Sequence, residues 1–210
     1  MVESLARWYY DGGPFMAVIL AVLALAIAVT IERLIFYYFI CNKKGSLVVS
    51  QLASSLNEQK TDQARKILSK GKDPQTVLLR TALERYEAKM DIDEIQEGIE
   101  ETAIQQVPRL SQRLNYLTLF ANIATLLGLL GTITGLQLSF SSLANIEAAK
   151  KASMLASGIS QAMLTTAFGL IVAIPCMVVY TFLYNKQNQL VKDLDEATVK
   201  FLNYLKKKKA

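Results

Sequence analysis

Two stretches of this chain, Leu114–Leu143 and Met154–Tyr184, contain no Asp, Glu, Lys or Arg. A third, Pro14–Ile31, is uncharged over eighteen residues and continues through Phe36, Tyr37, Tyr38, Phe39 and Ile40. At 1.5 Å per residue, roughly 20 apolar residues cross the ~30 Å hydrocarbon layer of a bilayer as a helix. Three such blocks predict three transmembrane helices. The composition agrees, because the 52% of residues that are hydrophobic are concentrated in the blocks instead of being spread along the chain as in a soluble core. The first block does not read as a cleaved leader: Met1–Gly13 lacks a basic cluster and no small-residue cleavage site follows.

The blocks divide the chain into an N-terminal segment 1–13, a first span 14–40, a polar domain 41–113, a second span 114–143, a short loop 144–153, a third span 154–184 and a tail 185–210. In the polar domain apolar residues recur at helical spacing, first Leu47, Leu52 and Leu56, then Val77, Leu78, Leu79, Leu83 and Tyr86. Lys70-Gly71-Lys72-Asp73-Pro74 reads as a turn, with Pro74 opening a new helix. The periodicity of Ile92, Ile95, Ile99 and Ile104 leads into the second span and predicts one helix of about 50 residues, ~75 Å long. Pro108 should bend it, and Gly169 and Pro175 should weaken or kink the third helix, which continues through Leu190, Leu194 and Phe201. The fold class is therefore an all-α integral membrane protein with three transmembrane helices, its long helices extending into a helical cytoplasmic domain.

Charge sets the orientation. Twelve Lys and Arg lie in 41–113 and seven in the tail, against Arg7 alone in the N-terminal segment and Lys150–Lys151 in the short loop. Basic flanks stay in the cytoplasm, so the N-terminus faces outward and the C-terminus inward. Trp8, Tyr9 and Tyr10 then form an outer aromatic belt and Phe36 to Phe39 an inner one, with Glu32, Arg33, Lys43 and Lys44 as interfacial anchors. The basic residues cluster beside the apolar blocks and accompany no nucleic-acid-binding motif, so membrane lipids, not nucleic acid, are the expected charged partner. The chain has no histidine, the commonest general base and metal ligand, which argues against a hydrolase or a zinc enzyme. No catalytic residue, metal or cofactor is expected. Cys41 and Cys176 give no support for a disulfide.

In the second span Ala124, Gly128, Gly131, Gly135 and Ser139 form a small-residue stripe that lets another helix approach closely, either within one subunit or between subunits. Thr118, Thr125, Thr132 and Ser139 recur every seven residues, with Asn122 one turn after Thr118. A seven-residue step drifts only ~20° around a helix, so these hydroxyls make a polar line. The line faces water or a polar partner, or its hydroxyls bond the carbonyls of their own helix. The third span carries Ser157, Gln161 and Thr165 one turn apart, with Thr166 adjacent. Gln161 can orient water but cannot store a proton. Proton-driven work needs a protonatable group within the membrane, and spans two and three hold no carboxylate, so a partner must bring one.

Gly128-Leu-Leu-Gly-Thr-Ile-Thr-Gly135 resembles the second-span segment of the ExbB/TolQ branch of the MotA/TolQ/ExbB proton-channel family. Gly158-Ile-Ser-Gln-Ala-Met-Leu-Thr-Thr-Ala-Phe-Gly-Leu-Ile-Val-Ala-Ile-Pro175 is similar to its third span, and Gly12-Gly13-Pro14 and Ile31-Glu32-Arg33-Leu34 to its first. The resemblance implies a subunit of the bacterial inner membrane that forms a homopentamer. Its second and third spans would line a pore around a dimer of a single-span ExbD/TolR/MotB-like protein bearing a protonatable Asp. Thr132 and Thr166 match the family threonines that face that Asp, Pro175 matches its third-span proline, and Gln161 stands where the family usually has Glu. A self-sufficient ion channel or transporter and a passive scaffold are the alternatives. The first lacks an intramembrane charge, and the second has no use for a polar line. The orientation is tested with reporters active only in the periplasm, which should give signal when fused at residue 1 and none at residue 210; the reverse would invert the topology.

Overall fold

The structure, a computed structural model, describes residues 12–41, 45–58, 60–69, 71, 73–143 and 148–209. Arg7, the Trp8–Tyr10 belt, Lys43, Lys44, Lys70, Lys72 and residues 144–147 of the short loop lie outside the described residues. Among the described residues seven α-helices follow one another: α1 (Phe15–Ile35), α2 (Gly45–Asn57), α3 (Thr61–Ser69), α4 (Pro74–Glu87), α5 (Ile92–Ser111), α6 (Asn115–Ser142) and α7 (Ala148–Lys209). A π-helical turn, Phe36–Ile40, extends α1. Among the described residues there is no strand.

Among the described residues three helical stretches are long and apolar enough to cross a membrane: Phe15–Ile40, Ile92–Ser142 and Lys150–Lys208. Each contains one predicted span. The long second helix is not continuous, however. The chain leaves helical geometry at Gln112 (ψ 137°) and Arg113 (φ 64°), four and five residues beyond Pro108. Pro108 itself sits inside α5 and Pro175 inside α7, so neither proline ends its helix. A proline removes one helical N–H, and the neighbouring turns keep theirs.

Local sequence explains where the polar helices begin. Asp73, in extended geometry, accepts hydrogen bonds from the Thr76 backbone N–H (3.0 Å) and hydroxyl (2.8 Å), and Pro74 occupies the first turn, where no N–H is needed. Asp91 and Glu94 form a reciprocal capping box at the start of α5, with the Asp91 N–H donating to Glu94 at 2.8 Å.

The chain divides into two compact units, Met1–Ile31 with Arg113–Phe182, and Glu32–Gln112 with Leu183–Ala210. In the first unit, α1 buries Met16, Ile19, Val22 and Ala26, α6 buries Leu117, Ala121 and Ala124, and α7 buries Ala162, Thr165, Phe168 and Val172. Each set repeats at three or four residues, the period of one helix face. The opposite faces stay apolar and uncovered: Leu126, Ile133, Leu138, Met163 and Ile174 are all exposed.

The second unit is a small helical domain with its own core. Leu52 and Leu56 of α2, Leu68 of α3, Leu78, Leu79 and Leu83 of α4, Ile95 and Ile99 of α5, and Leu194, Phe201 and Leu205 of α7 pack together. Tyr204 ties α7 to α2, its hydroxyl 2.7 Å from the Asn57 side-chain oxygen and 3.0 Å from the Ala53 carbonyl. The π turn leaves Arg33, Tyr37 and Cys41 buried and Tyr38, Phe39 and Ile40 exposed. Tyr37 donates to the Leu110 carbonyl at 2.6 Å, and Arg33 reaches the Arg109 carbonyl at 3.4 Å. These are carbonyls of the last turn of α5, which lack a helical partner of their own. Burial and the nearby negative charge of Asp73 push the Cys41 thiol up to about 11, against the lowering pull of Arg33. It is therefore a neutral thiol at physiological pH.

The cap at Asp73 gives a direct test. Asp73→Ala removes both bonds to Thr76 and leaves its buried hydroxyl without that acceptor, so it should cost about 1–2 kcal/mol. Asp73→Asn keeps an acceptor and should cost less. Thermal unfolding of the purified protein, followed by circular dichroism, would rank the two variants.

Candidate functional site

Part of the set singled out in the second and third apolar segments, Gly128, Gly131, Gly135, Ser139, Thr165, Thr166 and Gly169, meets along the packed faces of α6 and α7. The glycine stripe is what lets them meet. A Cβ on Gly128 would lie 3.2 Å from the Thr166 Cα, and one on Gly135 would lie 3.0 Å from the Ala162 Cβ. A Cβ on Gly131 would run into the Thr165 side chain. The closest approach is at Gly169 of α7, where a Cβ would stand 2.6 Å from the Ala124 carbonyl oxygen, a backbone atom that no side-chain rotation can move. The stripe thus packs within one chain, one of the two arrangements left open by the sequence. Pro175, further along α7, is exposed.

Polar bonds cross the same faces. The Thr166 hydroxyl donates to the Gly128 carbonyl at 2.8 Å, joining α7 to α6. The Thr165 hydroxyl, only 2% exposed, lies 2.7 Å from the Gly12 carbonyl and 3.0 Å from the Gln161 carbonyl. Gly12 and Gly13 form the turn ahead of α1, and Gly13 has φ 77°, a conformation that favours glycine. A Cβ there would also collide with the Gln161 amide. Gln161 and Thr165 therefore hold the turn that opens the first helix, a role that sequence reasoning missed. The Gly12-Gly13-Pro14 run was the available signal, since two glycines before a helix-starting proline mark a tight approach.

The seven-residue hydroxyl line is not a uniform face. Thr125 is exposed, Thr118 and Thr132 are half-buried and Ser139 is buried. Three steps of ~20° turn the line by about 60°, which carries Ser139 into the contact with α7 opposite Gly158. Thr125 donates to Ala121 (3.0 Å), Thr132 to Leu129 (2.6 Å) and Ser139 to Gly135 (2.8 Å), all carbonyls of their own helix. These are the back-bonds open to any membrane hydroxyl. The Thr118 oxygen is buried with no hydrogen-bond partner.

At the far end of α1 the expected anchors divide. Glu32 is half-buried and accepts from Arg33 at 3.0 Å, whereas Arg33 is only 3% exposed, its guanidinium 5.1 Å from the centre of the Phe36 ring. Arg33 has partners inside the second unit and does not extend toward solvent, because a planar guanidinium satisfies a carboxylate, a ring face and a carbonyl together. Among the described residues no group of His, Cys, Asp and Glu is arranged to hold a metal.

The sequence pattern of the MotA/TolQ/ExbB proton channel family matches residues 70–196, more than half of the 210-residue chain. The chain belongs to this family. A protein named ExbB-like 3 from Synechocystis sp. is 43% identical over 100 residues, covering 44% of this chain and 47% of that protein. The Tol-Pal system protein TolQ of Haemophilus influenzae is 33% identical over 100 residues, 45% of this chain and 42% of TolQ. The biopolymer transport protein ExbB of Pseudomonas putida is 30% identical over 145 residues, 65% of this chain and 42% of ExbB. The matches thus span less than half the length of each of these relatives.

The close approach in the first unit is open to test. Gly169→Ala should force α6 and α7 apart and destabilise the protein by about 1–3 kcal/mol. Ala167→Ser, on an exposed position of the same helix, should leave stability unchanged. A thermal-shift measurement in detergent compares them, and equal melting temperatures for Gly169→Ala and wild type would refute the tight contact.

Proposed function

We propose that this protein is the channel-forming subunit of an inner-membrane complex that couples proton flow down the proton motive force to mechanical work. Five copies surround a dimer of a single-span ExbD/TolR/MotB-like partner whose membrane Asp carries the proton. The N-terminus lies in the periplasm, and residues 41–113 and 185–210 lie in the cytoplasm. The observation that carries this reading is the bond from Thr166 to the Gly128 carbonyl. It joins two apolar segments, 114–143 and 154–184, that contain no Asp, Glu, Lys or Arg, at the two motifs in which the chain most resembles its family.

In this reading α6 and α7 build a neutral polar wall, and the partner supplies the titrating group. Thr132, Thr166 and Thr125 present hydroxyls to water or to the partner's carboxylate as it gains and loses its proton. Thr118 and Ser139 continue the polar line, while Thr165 and Gln161 fix the outer end of the pathway through the Gly12–Gly13 turn. The uncovered apolar faces of α1, α6 and α7 are then met by lipid and by neighbouring copies.

Valine has the shape of threonine without the hydroxyl, which makes the test direct. A polar contact of this kind in a membrane is worth about 1–2 kcal/mol, enough to change a coupled rate roughly tenfold. Thr132→Val and Thr166→Val should leave the assembly intact and abolish most proton flux when reconstituted with the partner. Thr166→Ser, which keeps the donor to Gly128, should restore it. Thr134 is about 200° around the helix from Thr132, and its hydroxyl bonds the Leu130 carbonyl at 2.9 Å. Thr134→Val should therefore be harmless; equal damage from all three Val variants, or from none, would sink the assignment. Gln161→Glu should be tolerated and add a pH dependence, because a carboxylate then titrates where an amide stood.

A further inference from the structure

The inner end of the first span carries an unusual surface. Phe39 is 82% exposed, Tyr38 53% and Ile40 42%, at the point where the apolar run of α1 gives way to polar sequence. Lys186, the first charged residue after the apolar block ending at Tyr184, places its ammonium 5.7 Å from the centre of the Tyr38 ring. Lysine and tyrosine are thus held together by a cation–π contact at the level where two spans leave the hydrocarbon. The π-helical turn produces this arrangement: with Tyr37 buried against the Leu110 carbonyl, its three successors are presented outward.

We infer that Tyr38, Phe39 and Lys186 form a binding site for the headgroup of an anionic phospholipid. The chemistry of the surface selects this occupant. A largely exposed phenylalanine beside an isoleucine is disfavoured in water and suited to an acyl chain, and a phenol sits naturally at headgroup depth. The ammonium has three donors and uses its cation–π contact only on the ring side, which leaves N–H groups for the phosphodiester oxygens. A zwitterionic lipid offers the same phosphate with a compensating cation, so the single lysine favours a lipid of net negative charge. The site rests on the membrane placement of α1 and α7 but not on ion transport, and Lys186 and Tyr38 have no part in the proposed proton pathway.

Native mass spectrometry of the delipidated full-length assembly, titrated with phosphatidylglycerol, phosphatidylcholine or inorganic phosphate, tests the proposal. Phosphatidylglycerol should bind at up to one lipid per copy, phosphatidylcholine about fivefold more weakly, and inorganic phosphate not detectably, since it has no chain to lay on Phe39. Lys186→Gln and Tyr38→Leu should each weaken phosphatidylglycerol binding about fivefold, whereas Lys192→Gln, an exposed lysine further along α7, should not. Equal binding of the two lipids, or unchanged binding by Lys186→Gln, would overturn the site. Disulfide formation between copies carrying Phe39→Cys would instead assign this face to a neighbouring subunit and overturn it as well. Proton flux, measured on the same variants, separates the two readings: loss of lipid with flux retained supports the site and leaves the channel assignment standing.

Discussion

At Gly169 the backbone of α7 comes so close to α6 that one added methyl would sit 2.6 Å from the Ala124 carbonyl oxygen. Most of the first unit follows from that distance. Two apolar helices in hydrocarbon gain nothing by hiding leucines from lipid tails, so they adhere where small residues let backbone atoms touch. Gly128, Gly131 and Gly135 open the groove on α6, and the turn around Ala162, Thr165 and Thr166 fills it from α7. Once the helices are this near, the Thr166 hydroxyl can reach a carbonyl on the other helix. Packing and polar satisfaction are here one event.

The second unit solves a different problem. Its helices bury leucines and isoleucines around Phe201 and behave as a small water-soluble domain would. The difficulty lies at the last turn of α5, whose carbonyls have no helical donors. Tyr37 and Arg33 supply them from the end of α1, and Gln112 leaves the helix with its N–H donating to the Pro108 carbonyl at 3.0 Å. Arginine at such a place usually marks the headgroup layer. Here its charge is balanced by Glu32 and its guanidinium carbon lies over the Phe36 ring, which makes burial tolerable.

Legibility in the sequence followed the physics of each feature. The three apolar helices were plain because a long run without charge is a one-dimensional signal. The Asp73–Pro74 start and the small-residue stripe were plain for the same reason, since each depends on residues adjacent or one turn apart. The break at Gln112–Arg113 was not, because neither residue is a glycine or a proline and a left-handed Arg113 has no local sequence signal. The burial of Ser139 at the end of the polar line comes from helical drift, small in one seven-residue step but accumulated over three. Arg33 reads as a surface anchor until the carbonyls it serves, 76 residues away in the chain, are known.

The bond between Thr165 and the Gly12 carbonyl joins residues 153 positions apart. A chain made from its N-terminus at about 5–20 residues per second therefore exposes its opening turn for about 8–30 s before the residue that fastens it has been synthesised. Until then the turn ahead of α1 lacks one of its tertiary bonds, and the apolar run of α1 must keep that helix formed without it.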